Sequence, residues 1–387
     1  MNKILGADFK KILVEETALI DVRAPIEFSQ GHIPGACNAP ILNNDERALI
    51  GKTYKEKGQE AAVALGFQII SGEVKQERIR QWIQIIQKNP NTVLYCFRGG
   101  KRSQISQQWL KESGHQLALI EGGYKKFRQF LIDELKNSIQ KNQFLLISGP
   151  TGSGKTNFLG QLTKYKKTID LEQLAHHRGS AFGYLSEQPS QANFENELAK
   201  KFIQMDSPNK ITDHAAENLF FLEDESRLIG RCITPPQMFE KMRSSPVIWI
   251  DEPIETRVNQ IFVDYIEKTS IGEWAQHQEQ NHSALDSNHS LFQQGVQQYG
   301  YYQQALLKIK NKLGGLRFDE IQKALSHAQV EWIQQQKLES NRVWIASLLK
   351  YYYDPLYLNS LSRRQVRILF RGNFQNCLQF AINKSAD

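Results

Sequence analysis

The chain is poor in cysteine: Cys37, Cys96, Cys232 and Cys377 are its only four, scattered over 387 residues. None forms a Cys-x-x-Cys pair or stands at a Cys/His spacing that binds zinc, so a disulfide framework and a structural zinc site are both disfavoured. That usage fits a reducing cytoplasm. Also missing is any window of about 18 uninterrupted apolar residues, and residues 1–10 carry no basic segment followed by an apolar run. Neither membrane insertion nor export is expected. No internal repeat is found, and no Asn-Lys-x-Asp segment, which disfavours a GTPase. Charge is only mildly biased, at net +7 with a pI near 9.0. Such a balance suits a polyanionic partner without specifying one. The length allows two or three domains, each burying its own core.

What is present centres on residues 91–103, an apolar strand (Val93-Leu94-Tyr95) running into Cys96-Phe97-Arg98-Gly99-Gly100-Lys101-Arg102-Ser103. The spacing predicts a helix over about residues 103–113. A thiol at this hinge meets the backbone N–H groups of a glycine-rich turn, a helix N-terminus, and the cations Arg98, Lys101 and Arg102, all of which favour thiolate. Cys96 is therefore the candidate nucleophile, with Arg98 and Arg102 supporting it. Buried free cysteines are more often simple core residues, but two glycines and three cations in succession do not suit that reading.

The second motif is the most specific in the chain. Phe144-Leu145-Leu146-Ile147-Ser148 reads as a buried strand, and Gly149-Pro150-Thr151-Gly152-Ser153-Gly154-Lys155-Thr156 matches G-x-x-x-x-G-K-[ST] in full, with a helix predicted over residues 157–164. The candidate phosphate-binding residues are Gly149, Thr151, Gly152, Ser153, Gly154, Lys155 and Thr156. Glycines admit backbone N–H groups to phosphate oxygens, Lys155 brings a point charge, and Thr156 can hold magnesium. Val247-Ile248-Trp249-Ile250-Asp251-Glu252 has the form of a Walker B strand, making Asp251 a candidate for magnesium support; Thr168-Ile169-Asp170 is a shorter one. Arg178, in a glycine-bearing loop, is a candidate phosphate contact. No metal ligand set is read from the sequence, and no tightly bound cofactor is expected beyond Mg2+ accompanying a diphosphate or nucleotide. His176 and His177 are adjacent and point in different directions, which disfavours a metal pair.

Elsewhere the pattern is mostly helical. Residues 43–72 read as helix, and Ile79, Trp82, Ile83 and Ile86 make an apolar stripe at helical spacing, a core face. From about Glu255 onward the expectation is helix, ending in a tail that joins Tyr351-Tyr352-Tyr353-Asp354-Pro355 to Arg363, Arg364, Arg367 and Arg371. Arginines among aromatics could contact RNA or simply solvate a helix. Lys125, Lys126, Arg128, Arg363, Arg364 and Arg367 are the candidate contacts for such an RNA.

Residues 21–38 supply a resemblance. Asp21-Val22-Arg23, Glu27-Phe28 and Gly31-His32-Ile33-Pro34-Gly35-Ala36, followed by the strand and Cys96 loop, resemble the rhodanese domain, whose cysteine carries a chalcogen. In that pattern the Gly-His-Ile-Pro-Gly stretch is a turn and His32 is structural. With the Asn44-Asp45-Glu46-Arg47-Ala48-Leu49-Ile50-Gly51 insertion, the Walker A run, His177-Arg178-Gly179-Ser180-Ala181-Phe182-Gly183 and Leu222-Glu223-Asp224-Glu225-Ser226-Arg227, the whole resembles the tRNA 2-selenouridine synthase family.

That resemblance implies an α/β fold in three parts: a rhodanese-like domain over 1–138, a P-loop NTPase-like α/β domain with a parallel sheet over 139–265, and a mainly helical, tRNA-contacting region over 266–387. It implies a transferase that turns wobble 2-thiouridine of Lys, Glu and Gln tRNAs into 2-selenouridine. Selenium would come from selenophosphate, by way of S-geranyl-2-thiouridine made from geranyl diphosphate, with Cys96 carrying selenium as a selenylsulfide. Two other readings remain open on the residues alone. Cys96 and Arg102 also fit Cys-x5-Arg, so the first domain could be a cysteine phosphatase or sulfurtransferase beside an ATP-binding P-loop domain. Alternatively Cys96 is idle, and ATP hydrolysis switches a tRNA-binding tail.

Overall fold

The computed structural model describes the chain except residues 1–2, 179–181, 183–186, 208–217, 281–284, 363, 365 and 386–387, with backbone only for 277–280, 285–289 and 360–362. The chain divides into two compact units: residues 1–141 with 188–216 and 231–233, and residues 142–187 with 217–230 and 234–387.

In the first unit a five-stranded parallel sheet runs in the order Lys3–Ile4, Ala118–Ile120, Val93–Tyr95, Leu19–Asp21, Ala36–Asn38. Its central strands, Leu19–Asp21 and Val93–Tyr95, are buried throughout, which is why they read as apolar runs without alternation. Trp82, from the apolar stripe of the Gly72–Lys88 helix, is fully buried beside Trp109, and its indole N–H donates to the Ala39 carbonyl at 2.8 Å.

One buried ion pair knits the rhodanese-type segments together. Asp21 and Arg23 are 0% and 2% exposed, and Arg23 Nη2 donates both to Asp21 Oδ2 and to the Gly31 carbonyl, each at 2.6 Å. The guanidinium also lies 4.2 Å from the Tyr124 ring centroid. Burial works against the Arg23 charge, but Asp21 outweighs it and holds the guanidinium above its ordinary value. Pro34 and Gly35 form a turn closed by the Ala36 N–H donating to the Ile33 carbonyl at 3.0 Å, and the His32 ring is stacked 3.9 Å from Phe28.

Two features of this unit differ from the sequence expectation. Gln191–Met205, placed by sequence in the P-loop domain, packs here: it buries Phe194, Leu198, Phe202 and Ile203, Asn196 donates to the His32 carbonyl at 2.7 Å, and Gln204 donates to the Leu13 carbonyl at 3.0 Å. Its amphipathic pattern was legible, but which sheet it covers is a long-range matter. Secondly, the predicted helix over 43–72 is Asn44–Ile69 with a break at Gly58, where φ is +84°. Asn43 and Glu46 cap its start reciprocally, at 2.8 and 2.7 Å.

The second unit holds a parallel five-stranded sheet in the order Ile368–Gly372, Val247–Ile250, Gln143–Ser148, Leu219–Glu223, Thr168–Ile169, with the P-loop strand central. Parallel pairing is what the sequence led us to expect. The edge strand Ile368–Gly372 is a correction to the helical tail. Ile368-Leu369-Phe370 is a short apolar run ahead of Gly372, strand-type in itself, and the helix Phe374–Asn383 that follows buries Cys377, Leu378 and Ala381. Among the described residues, 254–280 and 285–362 are mainly helical, around an aromatic core that includes Phe262, Trp274, Tyr299, Tyr302, Trp332 and Trp344.

Arg23→Met would leave Asp21 buried without a countercharge, a loss of about 3–5 kcal/mol. Calorimetry should show a markedly lower unfolding temperature, and Asp21→Leu combined with Arg23→Met should recover part of it. A single variant as stable as wild type would remove the pair from the structural account.

Candidate active sites

The first site grows from the Val93–Tyr95 strand. Cys96 follows it directly and the Lys101–Glu112 helix opens just beyond. Cys96 Sγ lies 3.1 Å from Ser103 Oγ and 3.9 Å from the Gly100 carbonyl oxygen. The Ser103 hydroxyl also reaches that carbonyl, at 3.0 Å, so it can turn either to the sulfur or to the backbone. The loop is pinned from behind: Tyr124 N–H donates to the Cys96 carbonyl and Lys125 N–H to the Phe97 carbonyl, both at 2.9 Å. Gly123 permits this. Its φ is +58°, and a Cβ there would collide with the Cys96 carbonyl oxygen and come within 2.7 Å of Gly99 N.

Cys96, Arg98, Lys101 and Arg102 all line one cavity of about 1070 Å3, walled opposite by the Asn44–Ile69 helix. The cations are not equivalent. Arg102 is committed to Glu27 through two bonds of 2.5 and 3.1 Å. Burial raises the affinity of Glu27 for a proton, but Arg102 prevails and holds its carboxyl below the usual range. Arg98 stands with its guanidinium 5.6 Å from the Phe97 ring centroid.

The second site is the loop between the Gln143–Ser148 strand and the Lys155–Leu162 helix. Gly152 and Gly154 take φ of +84° and +83°, a turn open only to glycine at low cost. Lys155 Nζ folds back to the Gly149 carbonyl at 3.2 Å. The Tyr357 hydroxyl accepts from Gly149 N–H at 2.7 Å and lies 2.6 Å from Ser148 Oγ, which donates to Asp224 at 2.7 Å. Arg364 donates to the other Asp224 oxygen at 2.7 Å. Beneath Gly152, Arg257 grips Asp354 through two bonds of 2.7 Å.

Beside Lys155 three carboxylates converge. Glu172, Glu223 and Glu225 each offer an oxygen within 4.8 Å of the others, and Thr156 Oγ1 lies 3.4 Å from Glu172. Glu223 is fully buried, and neither of its carboxylate oxygens has a hydrogen-bond partner. Burial, then the neighbouring carboxylates of Glu172 and Asp170, drive its proton affinity well above the ordinary value. Burial and Glu172 push Glu225 up to about 8. Lys155 responds in the opposite sense: burial opposes its charge, but Tyr357 and the carboxylates of Glu225, Glu172 and Glu223 outweigh burial and hold the ammonium above its ordinary value. An all-carboxylate set beside a P-loop threonine, one member buried and unpartnered, fits a hard divalent cation such as Mg2+.

Comparison with known proteins agrees with this geometry. The tRNA 2-selenouridine synthase AAA domain matches residues 142–387, and the rhodanese-like domain matches residues 6–130. The chain is 48% identical to the tRNA 2-selenouridine synthase of Nitrosomonas eutropha, covering 95% of each chain. It is 46% identical to that of Nitrosomonas europaea and 47% to that of Bdellovibrio bacteriovorus, covering 96% of each chain in both cases. The chain belongs to the tRNA 2-selenouridine synthase family. It is therefore an enzyme of that family, with a rhodanese-like and a P-loop part.

Within this synthase framework the predicted residues fall unevenly. Gly149, Thr151, Gly152, Ser153, Gly154, Lys155 and Thr156 form one continuous loop and helix start. Asp251 lies at the end of its strand, but its Oδ2 is held by Arg371 at 2.9 and 2.7 Å, and Glu252 accepts from Phe374 N–H at 2.6 Å. Arg178 donates to the Asp264 carbonyl at 2.9 Å and lies 4.6 Å from the Tyr265 ring centroid. Among the tRNA candidates, Arg363 lies outside the described residues; Lys126 pairs with Glu121, Arg128 with Glu195 and Arg364 with Asp224, while Lys125 and Arg367 are exposed. Sequence reasoning missed the roles of Tyr357 and of Glu172, Glu223 and Glu225. For the last two a signal existed, since Phe220-Phe221-Leu222-Glu223-Asp224-Glu225 has the same apolar-then-acidic form as the strand ending at Asp251. Among the described residues no helix is long and apolar enough to cross a membrane.

The raised Glu225 carboxyl sets a pH dependence. Its folded value of about 8 exceeds the ordinary 4.5, so its stabilising contribution is complete below 4.5 and is lost as pH rises through 8. In metal-free buffer the melting temperature of wild type should fall more steeply over that window than that of Glu225→Gln. Parallel curves would contradict the shift.

Proposed function

We propose that this enzyme makes 2-selenouridine at the wobble position of tRNAs that carry 2-thiouridine, in two steps served by its two sites. The observation that carries the reading is the pairing, in one chain of this family, of a loop-held cysteine lining a cationic cavity with a complete phosphate-binding loop. The substrates expected are the Lys, Glu and Gln tRNAs, geranyl diphosphate and selenophosphate, and the reaction belongs to the cytoplasm.

At the P-loop, backbone N–H groups and Lys155 bind the diphosphate of geranyl diphosphate, since such a loop recognises phosphate oxygens rather than a base. Glu172, Glu223 and Glu225, with Thr156, would hold the accompanying Mg2+, which supplies charge neutralisation to the leaving diphosphate. The thiocarbonyl sulfur of the base attacks C1 of the geranyl group, the C1–O bond breaks, and diphosphate leaves. Alkylation matters because the 2-thiocarbonyl sulfur is a poor leaving group until it can depart as a thiol.

At the cysteine site, Cys96 handles the selenium while Arg98 and Lys101 bind the phosphoryl group of selenophosphate. The net exchange balances with water: the Se–P bond breaks and phosphate forms, selenium bonds to C2 of the uracil, the C2–S bond breaks, and geranylthiol leaves with a proton. The cysteine-phosphatase alternative is weaker, because Arg102, the arginine it would turn toward an oxyanion, is tied to Glu27.

Nucleoside mass spectrometry of 2-thiouridine tRNA incubated with protein, Mg2+, geranyl diphosphate and selenophosphate tests this. Wild type should yield 2-selenouridine. Cys96→Ser should stop at S-geranyl-2-thiouridine, and Lys155→Ala should lower geranylation by roughly 10²-fold or more. Unchanged tRNA in every reaction, with folded protein that binds tRNA, would overturn the proposal.

A further inference from the structure

The cavity beside Cys96 is larger and more apolar than selenium delivery needs. Its volume of about 1070 Å3 is at the top of the range of roughly 300–1,000 Å3 typical of small-molecule sites. Selenophosphate is a compact polyanion, for which the cations at the loop suffice. It has no use for the wall formed by Ile50, Val63, Phe67, Ile105 and Trp109.

The Asn44–Ile69 helix that builds this wall is itself under-packed. Of its 26 residues only Ala62 is fully buried. Phe67 faces Trp109 at 6.3 Å between centroids yet remains 48% exposed. Lys52 and Lys55 line the same cavity from the helix, and Lys101 and Arg98 line it from the loop. Apolar surface within a cationic frame, left open in a water-exposed protein, calls for an apolar occupant attached to an anionic one.

We propose that this cavity receives the prenyl chain of the S-alkylated wobble base. The geranyl group lies along the Val63, Phe67 and Trp109 wall, the uracil C2 faces Cys96, and the framing lysines and arginines meet the RNA phosphates. The assignment rests on the reading that S-geranyl-2-thiouridine is the intermediate, and it adds where that intermediate is recognised. The Asn44–Ile69 insertion becomes a specificity element: it selects alkylated over free 2-thiouridine, and it holds the hydrocarbon of the departing thiol while the C2–S bond breaks and the C2–Se bond forms.

The experiment uses full-length protein, selenophosphate, and synthetic anticodon stem-loops carrying preformed S-geranyl- or S-methyl-2-thiouridine, with no geranyl diphosphate present. The readout is the ratio of kcat/KM for 2-selenouridine formation from the two RNAs, which does not depend on the fraction of protein folded. Wild type should prefer the geranyl substrate by roughly tenfold or more, given the apolar carbons it adds. Val63→Trp, which fills the cavity, and Ala48→Trp, at an exposed position on its lining, should each bring the ratio toward one. A wild-type ratio near one, or a preference untouched by both variants, would overturn the cavity assignment while leaving the two-step reading intact. No product from either RNA would instead remove the two-step reading, and this assignment with it.

Discussion

A lysine ammonium set against three carboxylates is the interaction on which the phosphate site depends. Lys155 cannot neutralise Glu172, Glu223 and Glu225 together, and Glu223, the fully buried member, is beyond the reach of screening water. The protein resolves the conflict by keeping protons on carboxylates that would otherwise ionise, as the upward shifts of Glu223 and Glu225 record. A divalent cation with a bound diphosphate would resolve it differently, by supplying two positive charges to the acids and new negative charge to the lysine. Ligand binding and protonation are then two solutions to one electrostatic problem, and the site is arranged so that they compete.

The cysteine site is built on the opposite plan. Its cations outnumber its acids, Glu27 is already paired with Arg102, and the cavity wall is hydrocarbon. Both sites sit just past the end of a buried parallel strand where a glycine turn meets a helix, the position at which open α/β sheets offer backbone N–H groups to anions. One fold principle thus builds a phosphate-type loop in one unit and a loop-held thiol in the other.

Much of this was legible in the sequence because the signals are local. The Walker A run needs only its own residues and flanks, and the Cys96 loop declares its turn through Gly99 and Gly100. What escaped is set by distance along the chain. Tyr357 reaches Gly149 N–H across more than two hundred residues, and no local pattern marks a tyrosine for that task. Asp251 and Glu223 both end apolar strands, and choosing between them requires the strand order, in which both strands flank the P-loop strand and Arg371 binds Asp251. The Gln191–Met205 helix likewise shows its amphipathic face but not its destination.

The edge strand Ile368–Gly372 carries a consequence for biosynthesis. It pairs with Val247–Ile250, and the residues around it supply Arg371 to Asp251 and the Phe374 N–H to Glu252. While the chain is being made, the phosphate-binding sheet is therefore one strand short, with two acidic groups unmatched, until residues 368–374 have left the ribosome. The cysteine-bearing sheet has all its strands by residue 120. Translation thus orders assembly: the cysteine-bearing sheet can form early, whereas the sheet that carries the phosphate-type loop gains its edge strand only once residue 372 has been made.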